Sequence, residues 1–137
     1  MGTYNENQLV ALRDTDEIVL DPDQDIRGRK VMDSAGQDLG KVHDLLVDQA
    51  EGKVRALIVN HGHLLEKTTS VIPVDAITRI TPEEVQVDQD KKAIEGAAEY
   101  DPALVYDRVY YAGVYDYYGY APYWADSYAY PLYPYYA

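Results

Sequence analysis

Apolar and polar positions alternate in short runs over residues 26–88, and turn residues separate the runs. Lys30-Val31-Met32-Asp33 predicts a short strand, closed by a Ser34-Ala35-Gly36-Gln37 turn in which Gly36 suits a positive φ. Gly40–Asp48 predicts a second strand with apolar positions Val42, Leu45, Leu46 and Val47. The step from Val42 to Leu45 breaks strict alternation, so a bulge is expected near His43-Asp44. After a turn carrying Gly52, Val54–Asn60 is apolar on both faces, the mark of a central, doubly covered strand. Asn60-His61-Gly62-His63 is expected to be a hairpin loop with glycine at the tight position. Thr68–Val74 predicts a fourth strand, whose Pro73 places its end at a sheet edge or a bulge. Ile77–Ile80 and Val85–Val87 predict two more, separated by Thr81-Pro82-Glu83.

The expected core is aliphatic: Val31, Val42, Leu45, Val47, Ala56, Ile58, Ile72, Val74, Ile77, Ile80, Val85 and Val87. A unit this small buries only about 60% of its extended surface, so packing against a second copy would help it. Asp90–Glu99 reads as one short helix: Asp90 can cap it, Ala93, Ile94, Ala97 and Ala98 form its apolar face, and Asp101-Pro102 stops it. Ahead of the strands, residues 1–24 form an acidic arm. Its patches Leu9/Val10/Leu12 and Ile18/Val19/Leu20 suit an added edge strand. Residues 25–102 are then a mainly β domain, a small barrel of about six short strands with one short helix after it, and residues 103–137 a separate tail.

The tail changes the picture. Of the 15 Tyr in the chain, only Tyr4 precedes residue 100, and there is no Phe. Aromatics that nearly always carry a hydroxyl suit half-wet contacts better than a dry core. Over residues 103–118, Val105, Asp107 and Val109 alternate with Tyr106, Arg108 and Tyr110, which predicts an extended strand, with a helix as the alternative. From Gly119, Pro122, Pro131 and Pro134 among tyrosines predict extended, polyproline-like chain. So few aliphatic residues cannot build a core, and two readings stand side by side: a disordered sticky tail, or an ordered assembly segment. In the second, the contact residues are Tyr106, Tyr110, Tyr111, Tyr115, Tyr117, Tyr118, Tyr120, Tyr123, Trp124, Tyr128, Tyr130, Tyr133, Tyr135 and Tyr136.

Charge narrows the function classes. With 24 Asp+Glu against 12 Lys+Arg, the net charge is −12. A nucleic-acid partner is not expected, because Lys and Arg supply that affinity, nor is docking on anionic lipid. The absence of cysteine excludes disulfides, thiolate metal sites and Cys nucleophiles. No apolar run reaches the roughly 20 residues of a membrane span, and residues 1–10 show no secretory pattern; membrane insertion is not expected, and the cytoplasm is the expected location.

Candidate chemistry is sparse. His61 and His63, with His43 or Glu66 brought near by strand pairing, could hold a divalent transition metal, but a solvated turn explains them as well. Asp21, Asp23 and Asp25 alternate like the start of a calcium loop, yet Ile26 and Met32 stand where that loop needs Gly and Glu. Ser34, Ser70 and Ser127 lie outside a nucleophile-elbow context, and no phosphate-binding glycine motif is present. Asp33, Asp44 and Asp48 sit at strand ends and are expected to be solvated. No catalytic residues, no metal and no cofactor are therefore expected.

The runs Asp25-Ile26-Arg27-Gly28-Arg29-Lys30-Val31-Met32-Asp33, Gly36–Val42 and Asp44–Asp48 resemble the PRC-barrel family. So do Lys53–Val59, Val71-Ile72-Pro73-Val74, Ile80 and Val85-Gln86-Val87-Asp88; the Glu99-Tyr100-Asp101-Pro102 ending resembles the stand-alone, stress-response-like bacterial branch. The resemblance covers roughly residues 9–102. It implies a small β-barrel that works by protein–protein contact, as in the reaction-centre H subunit of purple bacteria and a ribosome maturation factor, with no shared catalytic residues. The first carries a transmembrane helix and the second a further domain; neither is seen here, and the Tyr-rich tail lies outside the family pattern. The expected function is a non-catalytic scaffold that self-associates, as an oligomer or filament, through its tail. The alternatives are an adaptor subunit of a photosynthetic or electron-transfer complex and a stress-response solvating protein. Tyrosine density also suggests a sacrificial radical sink.

Overall fold

A computed structural model describes residues 9–14, 25–48, 51–63, 66–97, 99–104 and 108–131. The Ile18–Leu20 patch, Asp21, Asp23, Tyr4, Tyr106, Tyr133, Tyr135 and Tyr136 lie outside them. Seven strands are present: β1 (Leu9–Ala11), β2 (Lys30–Met32), β3 (Asp38–Asp48), β4 (Lys53–His63), β5 (Glu66–Pro73), β6 (Ile77–Ile80) and β7 (Glu84–Val87). Helices α1 (Lys91–Glu95) and α2 (Arg108–Tyr118) follow. The sheet runs β5-β4-β3-β2-β7-β6, antiparallel except where β2 pairs with β7 in parallel. It curls into a half-barrel.

β3 organises the sheet. One edge pairs with β4 along its length, and the other is shared between β2 near its start and β1 near its end. The acidic arm therefore does add a short edge strand. The expected bulge is present: the β3–β4 register shifts between Val42 and Asp44. Val31, Leu45, Val47, Ile72 and Val85 are all at 0% exposure as expected, but Ile77 is only partly buried, and Tyr111, Tyr115, Tyr118 and Tyr123 join the same core cluster. Apolar residues on both faces of β4, Leu57 and Val59 as well as Ala56 and Ile58, are all buried.

Three expectations are corrected. Asn60–His63 is not a hairpin loop: β4 continues to His63 and pairs with β5 from Ala56↔Pro73 to His63↔Glu66. Glycine there reads as a turn, but an antiparallel pair tolerates Gly62 opposite Lys67. Residues 108–118 are helical, not extended, and two helices follow the sheet, not one. Tyr111, Val114, Tyr115 and Tyr118 are buried, the i, i+3, i+4, i+7 spacing of one helix face. Gly119, at φ +87°, ends α2 while the Tyr120 N–H bonds the Tyr115 carbonyl at 2.9 Å, a Schellman closure.

The third correction concerns Asp33, Asp44 and Asp48, which are buried at 2%, 1% and 1% exposure. Asp33 shows why. Its Oδ1 accepts the Ala35 and Gln37 N–H groups at 2.9 and 2.7 Å, and its Oδ2 accepts the Lys91 N–H at 3.0 Å. One carboxylate thus closes the turn after β2 and holds the start of α1, which Asp90 caps through the Ala93 N–H at 2.8 Å. Burial alone would push Asp33 up; the three backbone donors outweigh it and hold the carboxyl below its ordinary 3.8. Such a group contributes stability that is complete above its unfolded pKa and is lost as pH falls through its folded value. Asp33→Asn keeps an acceptor for the turn but turns an NH2 group toward Lys91. It is expected to cost about 1–3 kcal/mol at neutral pH and to flatten the acid limb of stability measured by urea unfolding from pH 7 to 2.

Candidate functional site

Residues 108–131 pack on the chain's own barrel, and Arg55 is the centre of that contact. This β4 residue is 5% exposed. Its Nε and Nη2 both donate to Asp48 Oδ2, at 3.2 and 2.9 Å. The guanidinium also lies 4.8 Å from the Tyr123 ring centroid, 5.4 Å from Tyr130 and 5.9 Å from Tyr128. A weakly hydrated planar cation paired on one edge and faced by π systems is the arrangement that tolerates burial of Arg. Lys53 lies 4.9 Å from the Tyr130 ring, whose hydroxyl donates to the Val54 carbonyl at 3.1 Å.

Other hydroxyls anchor the segment further along. Tyr110 donates to the Glu99 carbonyl (3.0 Å), Tyr117 to the Ala93 carbonyl (2.6 Å) and Tyr128 to Asp75 Oδ1 (3.2 Å). Tyr120 donates to the Asp88 carboxylate, 2.6 and 2.7 Å from its two oxygens, and accepts from Gln89 Nε2 at 3.2 Å. Tyr115, Tyr123 and Trp124 contact one another with ring centroids 5.0–6.3 Å apart, and Arg108 lies 4.9 Å from Trp124. Tyr110–Tyr111 and Tyr117–Tyr118 are edge-on pairs at 5.1 Å. The residues expected to serve as adhesive contacts are thus largely spent on the chain's own barrel. Burial pushes Tyr110, Tyr123 and Tyr130 up to about 12, and raises Tyr111, Tyr115, Tyr118, Tyr120 and Tyr128 as well. They are neutral phenols at physiological pH.

An open cleft of about 300 Å³ remains between α2 and the sheet, lined by Val71, Ala97, Val109, Tyr110, Gly113, Val114, Tyr117 and Tyr118. Val109, 81% exposed, and Tyr117, 49% exposed, are the exposed large apolar residues among those described.

The histidines go separate ways. His43, in the bulge, faces Arg13 Nη1 at 3.3 Å, and His61 shares a 2.7 Å hydrogen bond with Ser70 Oγ. His63 sits at the end of β4, opposite Glu66 in register. Among the described residues no group of three His, Cys, Asp or Glu is placed to hold a metal. Asp25 is held below its ordinary value by Arg27, which donates to it through Nε (2.8 Å) and Nη2 (2.6 Å). The Ser70–His61 contact was invisible in the sequence, since the partners meet only through the β4–β5 register. Ser70 is 2% exposed and donates to the Ile94 carbonyl at 3.4 Å, while burial pushes His61 below 6.5 against the pull of Glu95 and Glu99. The enclosed pair links β4, β5 and α1.

A half-barrel of antiparallel strands closed by one parallel pair, with a carboxylate-tied turn and a helix after the last strand, defines a small barrel-type domain. The PRC-barrel domain model matches residues 19–94, more than half of the chain, and the chain belongs to that family. A search of curated proteins finds no match. Among the described residues no helix is long and apolar enough to cross a membrane.

Proposed function

We propose that the protein is a non-catalytic interaction scaffold that self-associates through its C-terminal segment. The supporting observation is the exposed face of α2 that borders the open cleft. Val109 and Tyr117 flank Gly113 at four-residue intervals, and nothing lies within 4 Å of the position a Cβ on Gly113 would take. Two antiparallel α2 helices crossing at Gly113 set Val109 of one copy against Tyr117 of the other and bring Arg108 toward the opposing Asp116. That surface is self-complementary, as a two-fold contact requires. Of the tyrosines expected as contacts, Tyr111, Tyr115 and Tyr118 hold α2 in place, while Tyr117 stays half exposed. A single-helix contact is small, which makes the pair weak and concentration-dependent. The net charge of −12 opposes it, so added salt strengthens it.

Light scattering on the full chain over a range of concentration and salt tests this. The expected result is a reversible dimer that salt favours and Val109→Asp abolishes, with the circular dichroism spectrum unchanged, since Val109 is a surface residue. A wild-type chain that stays monomeric at millimolar concentration, or a variant that dimerises equally, would refute the reading. A closed pair is the smallest product; a filament needs a second contact, and negative-stain images distinguish the two.

A further inference from the structure

The aromatic layer holds hydroxyls that its packing does not require. Tyr111, Tyr115 and Tyr118 are 1%, 1% and 6% exposed, and their hydroxyls have no hydrogen-bond partner among the described residues. Phe would fill nearly the same space without desolvating a polar group. Yet the chain has 15 Tyr and no Phe. What tyrosine keeps over Phe in such a dry contact is an electron-rich ring that gives up one electron more readily.

The layer is also electrically graded. Arg55 and Arg108 lie over Tyr123 and Trp124, at 4.8 and 4.9 Å, and a cation over a ring opposes removal of an electron from it. Tyr120 is placed the other way. Its O–H already points at a carboxylate, with Asp88 oxygens 2.6 and 2.7 Å away. Its backbone N–H bonds the carbonyl of Tyr115, a member of the ring cluster. Tyr128 on Asp75 is a similar pair, but its bond is 3.2 Å long and Arg55 lies 5.9 Å from its ring.

We propose that the aromatic layer is a sink for one-electron oxidants of the radical class, with Tyr120 as the residue where the oxidation settles. The oxidant, a peroxyl-type radical, gains one electron and becomes its anion. Tyr120 loses that electron while its O–H bond breaks, the proton passes to Asp88, and a neutral tyrosyl radical remains beside a protonated carboxyl. Electrons from the neighbouring rings refill one another until the deficit reaches the ring whose proton has an acceptor in place.

Azide radicals generated in a solution of the full chain provide the probe, with a nitroso spin trap and peptide mapping to locate the adduct. The expected result is that Tyr120 carries most of the adduct, although Tyr117 is half exposed. Asp88→Asn is expected to lower labelling of Tyr120 at least fivefold and to move it to other tyrosines. Labelling in the wild-type chain that follows exposure, with Tyr117 ahead of Tyr120, would overturn the proposal whatever the variant does. So would equal labelling of Tyr120 in Asp88→Asn.

Discussion

Replacing Arg55 with Met is expected to destabilise the fold by about 3–5 kcal/mol, the usual cost of withdrawing one member of a buried ion pair. Arg55 and Asp48 have side chains 6% and 2% exposed, and their closest approach is 2.9 Å. Met fills the volume but takes a buried cation away from a buried carboxylate. The cation–π contacts with Tyr123, Tyr128 and Tyr130 go as well, each worth about 0.5–2 kcal/mol. Summed, the three ring contacts rival the ion-pair loss, so the dominance of that loss is what the next variants test. If it dominates, adding Asp48→Asn to Arg55→Met recovers much of the loss, because the uncompensated charge goes too. If the ring contacts dominate, the double variant is no better than the single one. Arg55→Lys separates the geometry from the charge: one ammonium cannot reproduce the paired Nε and Nη2 donors and the planar face, so an intermediate cost is expected. Urea unfolding gives the free energies, and near-ultraviolet circular dichroism reports whether the tyrosines leave the barrel. A loss below about 1 kcal/mol in Arg55→Met would mean that the pair behaves like a solvated surface bridge.

The barrel was legible because each of its strands carries its own local signal. Val54–Asn60 is apolar on both faces and is flanked by Gly52 and the β5 run, so its central place follows from periodicity. The bulge at His43 could be read from a single break in alternation. Buried polar groups were not legible in this way. Asp33, Asp44 and Asp48 look like ordinary strand-end acids, and only three-dimensional closure shows the donors that replace water at Asp33 and Asp48, while Asp44 Oδ2 has no hydrogen-bond partner among the described residues. For Asp33, Lys91 N–H comes from a residue 58 positions away. The Ser70–His61 contact and the Arg55 enclosure have the same character, since each joins elements whose register the sequence does not state.

The tail misled for a different reason. Helix α2 buries Tyr111, Val114, Tyr115 and Tyr118 and exposes Val109, Gly113, Asp116 and Tyr117. That is a regular amphipathic helix by position, but tyrosine appears on both faces, so polarity does not mark the boundary. Tyr-rich alternation at 105–110 then imitates a strand. What decides is the partner surface: the barrel offers a cation, two carboxylates and several carbonyls at the places where hydroxyls arrive. A segment judged too poor in aliphatic residues to fold by itself does not need to, because its core is the outside of the barrel.

Gly40 is where a single methyl group is expected to do most damage. The residue sits in β3 at φ +132°, outside the range that L side chains adopt readily. An ideal Cβ there would lie 2.1 Å from the Asn60 carbonyl oxygen and 3.0 Å from its carbon. Both neighbours are backbone atoms of β4, so no side chain can swing aside. Relief requires β3 and β4 to separate at the point where Lys41 pairs with Asn60, next to the His43 bulge. Gly40→Ala is therefore expected to cost more than about 3 kcal/mol, since backbone strain and overpacking each contribute about 1–3. Gly36 provides the control. Its φ is +81°, but nothing lies within 4 Å of a Cβ built on it, so Gly36→Ala meets the conformational cost alone, about 1–2 kcal/mol. Thermal and urea unfolding of the two variants side by side separate collision from conformation. Equal losses would mean that β3 and β4 can part at Gly40 without penalty, and that the tight approach of these two strands is not what holds the long hairpin in register.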